Sequence, residues 1–309
     1  MGRPAAPDQL ATSERTTPSP APRRGEADGG WSSGDKPVLE VTGGPGRLTR
    51  DSFRELWHFR EVQLAFAARQ LKVRYKQAVV GAGWVVLQPL VGAAIFALFL
   101  GRYANVSSEG VSYFLLALAG MTCWGYFSSS ANTGAESLVA NQNLLRKIFF
   151  PREILPLTPV VAGLVDLAIA LGVLVAATLV SGIRPAVSWL ALPVPVLILV
   201  LFSAACALGL SSLNIYYRDV RYVLPFILQI GLFATPVAYS LSLIPAAWRE
   251  PYAILNPIAA AIDALRRIVL HGRWPDLSMT IGSLGWSLLL LVLAAFLFKR
   301  LERGFSDRA

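Results

Sequence analysis

Charge is the scarcest feature of this chain of 309 residues. Asp, Glu, Lys and Arg make up 15% of it, against about 25% in soluble globular domains. The few charges are also segregated, and apolar residues reach 54%. That excludes a soluble enzyme, a disordered tail protein and a disulfide-rich secreted module. Cysteine is nearly missing: Cys123 and Cys206 each lie inside an apolar run and read as small buried hydrophobes. The dipeptide Gly-Lys does not occur, so no phosphate loop exists and ATP cannot bind by that route. His-Glu-x-x-His, a Cys/His cluster at metal spacing and Asp-x-Asp are absent too. No metal site, no cofactor and no catalytic residue is expected on this chain.

What is present is a polytopic membrane protein. The net charge of +9 does not form one basic face, as a nucleic-acid footprint would; its residues flank apolar runs. Uncharged runs cover 77–101, 110–135, 154–183 (interrupted by Asp166), 185–217, 222–248 and 277–298. A spanning helix needs about 20 apolar residues. The expectation is therefore all-α with six spans, near 79–101, 111–133, 156–181, 188–213, 223–243 and 278–298. With both termini inside, Lys and Arg number 15 inside against 6 outside, so the positive-inside rule favours cytosolic termini. His58 and His271 then fall on opposite sides and cannot share a site.

Residues 1–50 hold 7 Pro, 8 Gly and 9 Ser or Thr, too little apolar surface to offset ordering entropy. They are expected to be a disordered cytosolic extension without the apolar core of a signal peptide. The transmembrane domain is expected to fill 51–309. Residues 51–76 read as a basic amphipathic helix in the headgroup plane. There Arg69, Lys72, Arg74 and Lys76 would meet lipid headgroups. The last outside loop, about 243–279, contains Pro245, Pro251 and Pro257 and an uncharged stretch too short to span. It fits a re-entrant or interfacial helical pair before the last span. Asp166 is the one ionisable residue deep in a run. Its carboxylate is functional, hydrogen-bonded to a neighbouring helix, or placed near an interface in an overlong run.

Several segments, in this order and at six-span spacing, resemble the membrane subunit of ABC-2-type exporters, in the polysaccharide, O-antigen and teichoic-acid branch. Arg69-Gln-Leu-Lys-Val-Arg-Tyr-Lys-Gln runs into Gly81-Ala-Gly-Trp-Val-Val-Leu-Gln-Pro-Leu. Asn141-Gln-Asn-Leu-Leu-Arg-Lys-Ile-Phe-Phe-Pro-Arg-Glu-Ile-Leu-Pro156 follows. Asn214-Ile-Tyr-Tyr-Arg-Asp-Val-Arg-Tyr-Val-Leu-Pro-Phe precedes Thr235-Pro-Val-Ala-Tyr-Ser240, and Leu255-Asn-Pro-Ile comes late, near Arg266 and Arg267. The resemblance covers about residues 50–305.

It implies a homodimer working with two separate ATP-binding-cassette ATPase subunits, which bind ATP and magnesium. It implies a lipid-linked glycan or polyol-phosphate polymer as substrate, moved out across the bacterial plasma (inner) membrane. The loop between spans two and three would couple to the ATPase through Asn141, Leu144, Leu145, Arg146, Lys147, Phe149, Phe150 and Arg152. Those residues read as an apolar plug with a charged rim. Arg218, Asp219 and Arg221 form a second inside turn, which either caps adjoining helices or touches the ATPase. The resemblance places the translocation path along spans one and five, which here carry Trp84, Gln88, Phe96, Phe99, Gln229, Phe233, Thr235 and Tyr239. Aromatic faces with amide and hydroxyl groups suit sugar rings, and they suit helix packing equally. Pro245, Pro251, Asn256 and Pro257 would shape an outer gate. The rival readings are a drug or small-lipid exporter on the same fold, a membrane transferase on lipid-linked sugars, and an ATP-independent channel.

Overall fold

The computed structural model describes residues 57–76, 83–103, 110–147 and 150–302, besides Gly2; for 145–147 it describes the backbone only. The expected tail 1–50, Gly2 apart, and the expected Phe149 lie outside the described residues. Every regular element described is helical, and no strand occurs among the described residues.

The first helix, α1 (Arg60–Lys76), has Glu61 in its first turn and Arg74 and Lys76 in its last, matching the helix dipole. It is not two-faced in the expected way. Leu64 and Val73 are exposed alongside Arg69 and Lys72, while Gln63, Ala67 and Arg74 form the stripe turned inward. That stripe packs on α5 (below), so this face of α1 lies against protein.

Helix α2 (Gly83–Phe96) continues through a π-helical stretch, Ala97–Tyr103. Helix α3 (Tyr113–Ala140) is the hub and packs on α2, α5 and α6. A short helix, α4 (Gln142–Lys147), leads to α5 (Ile154–Val180). A 3-10 turn, Val187–Ala191, opens α6 (Pro193–Tyr216), and a tight turn leads to α7 (Val220–Ala234). After a non-helical strap come α8 (Ala246–Leu255), α9 (Pro257–Val269) and the last helix, α10 (Leu277–Glu302).

Four segments are long and apolar enough to cross a membrane: Gly83–Tyr103, Ile154–Val180, Val187–Tyr216 and Leu277–Glu302. Six were expected, and the two remaining regions differ for physical reasons. Helix α3 has 28 residues, ample for about 30 Å of hydrocarbon. It is rich in Ser, Gly and Asn because it faces other helices, and protein-facing positions need small size more than hydropathy. Helix α7 is apolar but has only 15 residues. It stops at Ala234 because Pro236 holds the preceding Thr235 extended, at φ −84° and ψ 143°. The expected span 223–243 is thus a shorter helix followed by a strap.

Small residues let the helices close on one another. A methyl group on Gly134 would come within 2.6 Å of the Ala207 methyl. Three buried hydroxyls donate to carbonyls of their own helix: Thr122 to Leu118 (2.9 Å), Ser137 to Gly134 (2.7 Å) and Thr178 to Leu174 (2.7 Å). Cross-helix bonds fix the hub. Asn214 Nδ2 on α6 donates to the Ala135 carbonyl (2.9 Å), and the Tyr126 hydroxyl donates to the Val160 carbonyl of α5 (3.1 Å). Cys123 and Cys206 are free thiols, the first buried and the second partly so.

Candidate functional site

Three places in the fold carry the residues of interest. At the end that holds α4, Asn141 Nδ2 donates back to the Ser137 carbonyl (2.8 Å) and closes α3. Leu144 and Phe150 do not form part of an outward plug. They turn inward onto a small core of Leu138, Leu155, Leu208, Ile215 and Phe298. Phe150 also meets the Phe66 ring of α1, with centroids 5.8 Å apart. The side chains of Leu145, Arg146 and Lys147, and all of Phe149, lie outside the description, although α4 itself is helical through Lys147.

Arg152 belongs to a largely buried ionic cluster, fully buried only at Glu153, that composition did not reveal. Lys299 of α10 pairs with Glu153 and with Glu302, the latter at 3.2 Å. Arg152 Nη1 donates to the Glu302 carbonyl (3.2 Å). The Tyr216 hydroxyl donates to the Leu301 carbonyl (2.9 Å), which ties α6 to the same corner. Four ionic side chains close the α4 connection onto the end of α10. The second turn is different in kind. Arg218, Asp219 and Arg221 are exposed, and Arg221 stacks over the Tyr222 ring at 4.8 Å.

Asp166 is not solitary. Arg74 and Tyr75 of α1 both donate to its carboxylate, and the Gln63 amide lies against Thr158 further down α5. Arg74 therefore spends its charge on α5, whereas Arg69, Lys72 and Lys76 remain exposed. The hydrogen-bonded alternative for Asp166 is the one this structure bears out.

Along α2 and α7, Trp84, Gln88, Phe99, Gln229 and Phe233 are exposed, with Trp84 at 56% and Phe233 at 63%. Phe96 packs on the main core, and on α7 only Leu224 is buried. Helix α7 meets α3 at Gly231, where a methyl group would come within 2.8 Å of the Trp124 ring. Thr235 and Tyr239, expected on the path, instead serve the strap 235–240. Thr235 is buried and accepts from Asn256 Nδ2 (3.0 Å). The Tyr239 hydroxyl donates to the Ala234 carbonyl (3.0 Å).

Non-helical backbone in an apolar setting must find partners for its polar groups. Here side chains supply them. The Tyr252 hydroxyl donates to the Ala234 carbonyl and the Tyr113 hydroxyl to that of Ala238. Arg266, 4% exposed, donates to Val237 (2.6 Å), to Tyr239 (2.8 Å), and to Leu116 of α3 through Nε (3.1 Å) and Nη2 (2.9 Å). Gly120 makes this possible, since a methyl group there would overlap the Val237 carbonyl. In the sequence Arg266 looked like a loop charge. Its helical spacing from Ile262 and Val269, four residues before it and three after it, was the available signal.

Two of the three expected gate prolines sit at helix boundaries. Pro245 precedes α8, Pro251 lies within it, and Asn256 caps α9 by accepting from the Ala259 amide (3.3 Å), with Pro257 as its first residue. Asp276 caps α10; the Ser278 hydroxyl, the Met279 amide and Arg267 hold its carboxyl below the usual carboxylate value. Among the described residues no group of three or more potential ligands is placed to hold a metal.

The sequence that builds these elements is similar to known proteins. The sequence pattern of ABC-2 type transporters matches residues 63–270. The chain belongs to the ABC-2 type transporter family. The O-antigen export system permease protein RfbA of Myxococcus xanthus is 28% identical over 255 residues, covering 82% of this chain and 97% of that one. A protein of the same name from Klebsiella pneumoniae is 30% identical over 207 residues, 66% of this chain and 78% of its own. The polysialic acid transport protein KpsM of Escherichia coli is 22% identical over 213 residues, 67% and 81% of the two chains. The match to this permease family takes in α4, the strap and Arg266, and stops within the loop that follows α9.

Proposed function

We propose that this chain is the permease subunit of an ATP-driven exporter that moves a lipid-linked polysaccharide from the cytosol across the bacterial plasma membrane. The observation that carries the reading is the similarity to O-antigen and polysialic acid export permeases over most of their lengths. In this reading both termini are cytosolic, α3 and α7 complete six spans, and α8 with α9 forms a re-entrant outer gate. Two copies face one another across α2 and α7, whose exposed Trp84, Gln88, Phe99, Gln229 and Phe233 line the path. Phe226 and Phe233, both exposed in the described protomer, support this.

ATP and magnesium belong to two partner ATPase subunits, which dock on α4. Movement of α4 passes to α5 and α10 through Leu144, Phe150 and the Arg152–Glu153–Lys299–Glu302 cluster. A corner closed by buried ion pairs moves as one body, so a push at α4 shifts two spans together. Arg69, Lys72 and Lys76 attract the anionic headgroup of the substrate at the inner surface.

The test is co-purification with the ATPase. Arg146→Glu with Lys147→Glu is expected to cut the recovered ATPase at least tenfold while the permease still folds. Undiminished recovery would refute docking through α4.

A further inference from the structure

The α8–α9 end has an unexplained concentration of positive charge. Arg249, Arg266, Arg267 and Arg273 line a cavity of about 320 Å³ with Asp263, His271, Leu241 and Ser242. Four arginines against one aspartate leave a formal surplus of three positive charges, or two once Asp276, which reaches Arg267 at 3.9 Å, is included. The arginines divide the work. Arg266 clamps the strap, and Arg267 pairs with Asp263 at 2.7 Å. Arg249 spans the mouth: Nη2 donates to the Ser242 (3.0 Å) and Ile244 (3.1 Å) carbonyls. Its Nε is buried yet has no acceptor. Arg273 is exposed at the rim.

Like charges gathered around a cavity repel one another, and an anion entering it relieves that repulsion. The surplus of two to three charges matches a phosphoryl dianion or a pyrophosphate better than a single carboxylate. Arginine forks also suit phosphate oxygens. The volume lies at the lower end of small-ligand cavities, large enough for a headgroup and not for a polymer.

We infer that this cavity is a binding site for a phosphate-bearing anion, held by Arg249 and Arg273 against the field of Arg266 and Arg267. Under the topology proposed above it opens outward, so the phosphate belongs either to an outer-leaflet lipid or to the exported molecule's lipid-linked end. The site itself does not depend on that topology or on the nature of the cargo.

The test uses the full chain in phosphatidylcholine nanodiscs, titrated with inorganic pyrophosphate by calorimetry. In parallel, native mass spectrometry follows retention of added phosphatidic acid. The wild-type chain is expected to bind one of these probes, and Arg273→Gln to weaken that binding roughly tenfold, the loss of one charge-assisted contact. Arg249→Lys, which keeps the charge and loses the fork, is expected to weaken it as well; the unliganded melting temperature of Arg273→Gln, at an exposed position, is expected to be unchanged. Pyrophosphate binding that is sensitive to both variants identifies the phosphoryl group alone as sufficient. Retention of phosphatidic acid only, with the same sensitivity, identifies a lipid headgroup. Binding of neither probe, binding insensitive to both variants, or equal affinity for acetate would overturn the inference. None of these results bears on export, which is read separately.

Discussion

Replacing Arg266 by Met removes every donor while keeping much of the side-chain length. Three carbonyls, those of Leu116, Val237 and Tyr239, lose hydrogen bonds from the guanidinium. A buried polar group left unsatisfied costs about 1–3 kcal/mol, so the three together cost about 3–9 kcal/mol. Against this, the variant no longer desolvates a guanidinium, which recovers several kcal/mol. The net expectation is a loss of about 3–5 kcal/mol, a shift of about two to four orders of magnitude in the folding equilibrium. Arg266→Lys keeps the charge but offers three donors from one point, and it is expected to fall between the two. The assay is equilibrium unfolding in mixed micelles, followed by near-UV circular dichroism. Tyr113→Phe removes another bond to the same strap, at Ala238. Combined with Arg266→Met, it should show a coupling above about 0.5 kcal/mol. An Arg266→Met chain within about 0.5 kcal/mol of wild type would refute the claim that this arginine holds the strap.

Other consequences follow from the same geometry. Gly120→Ala places a methyl group into the Val237 carbonyl and is expected to cost about 1–3 kcal/mol, read in the same unfolding assay. Lys299→Met leaves the Glu153 and Glu302 carboxylates together in a buried corner. Its expected cost is about 3–5 kcal/mol, partly recovered by adding Glu153→Gln; no recovery in the double variant would contradict the assigned pairing. Arg74→Ala strands the Asp166 carboxylate with Tyr75 alone. A loss of roughly 1–2 kcal/mol is expected, lessened when Asp166→Asn is added, as hydrogen exchange at the end of α1 would report.

Much of the architecture was legible in the residues. Apolar runs announced α2, α5, α6 and α10, because lipid-facing helices must be apolar nearly all round. Asn256 and Pro257 announced the start of α9 through their capping chemistry. Helix α3 was visible as an uncharged run, yet its central place was not, since small polar residues also occur in loops. The break after Ala234 was written in Thr235-Pro236, but a long apolar run masks a single proline. Orientation was the least legible property. Leu144 and Phe150 looked like an outward plug because sequence does not say which side of a loop meets the core. The distant partners of Arg266, Asp166 and Lys299 lie 27–150 residues away, and only folding brings them together. Arg266 and Lys299 looked like local charges and proved to make tertiary contacts.

The central claim is that this permease exports a lipid-linked polysaccharide. The direct measurement is to deplete the chain in its native cell and extract the lipid-linked glycans. The account predicts that a polymer on its lipid carrier accumulates inside while the surface polymer disappears. Loss of the internal and surface pools together would contradict it and place the chain in synthesis; unchanged pools would contradict it by showing that the cargo is of another kind.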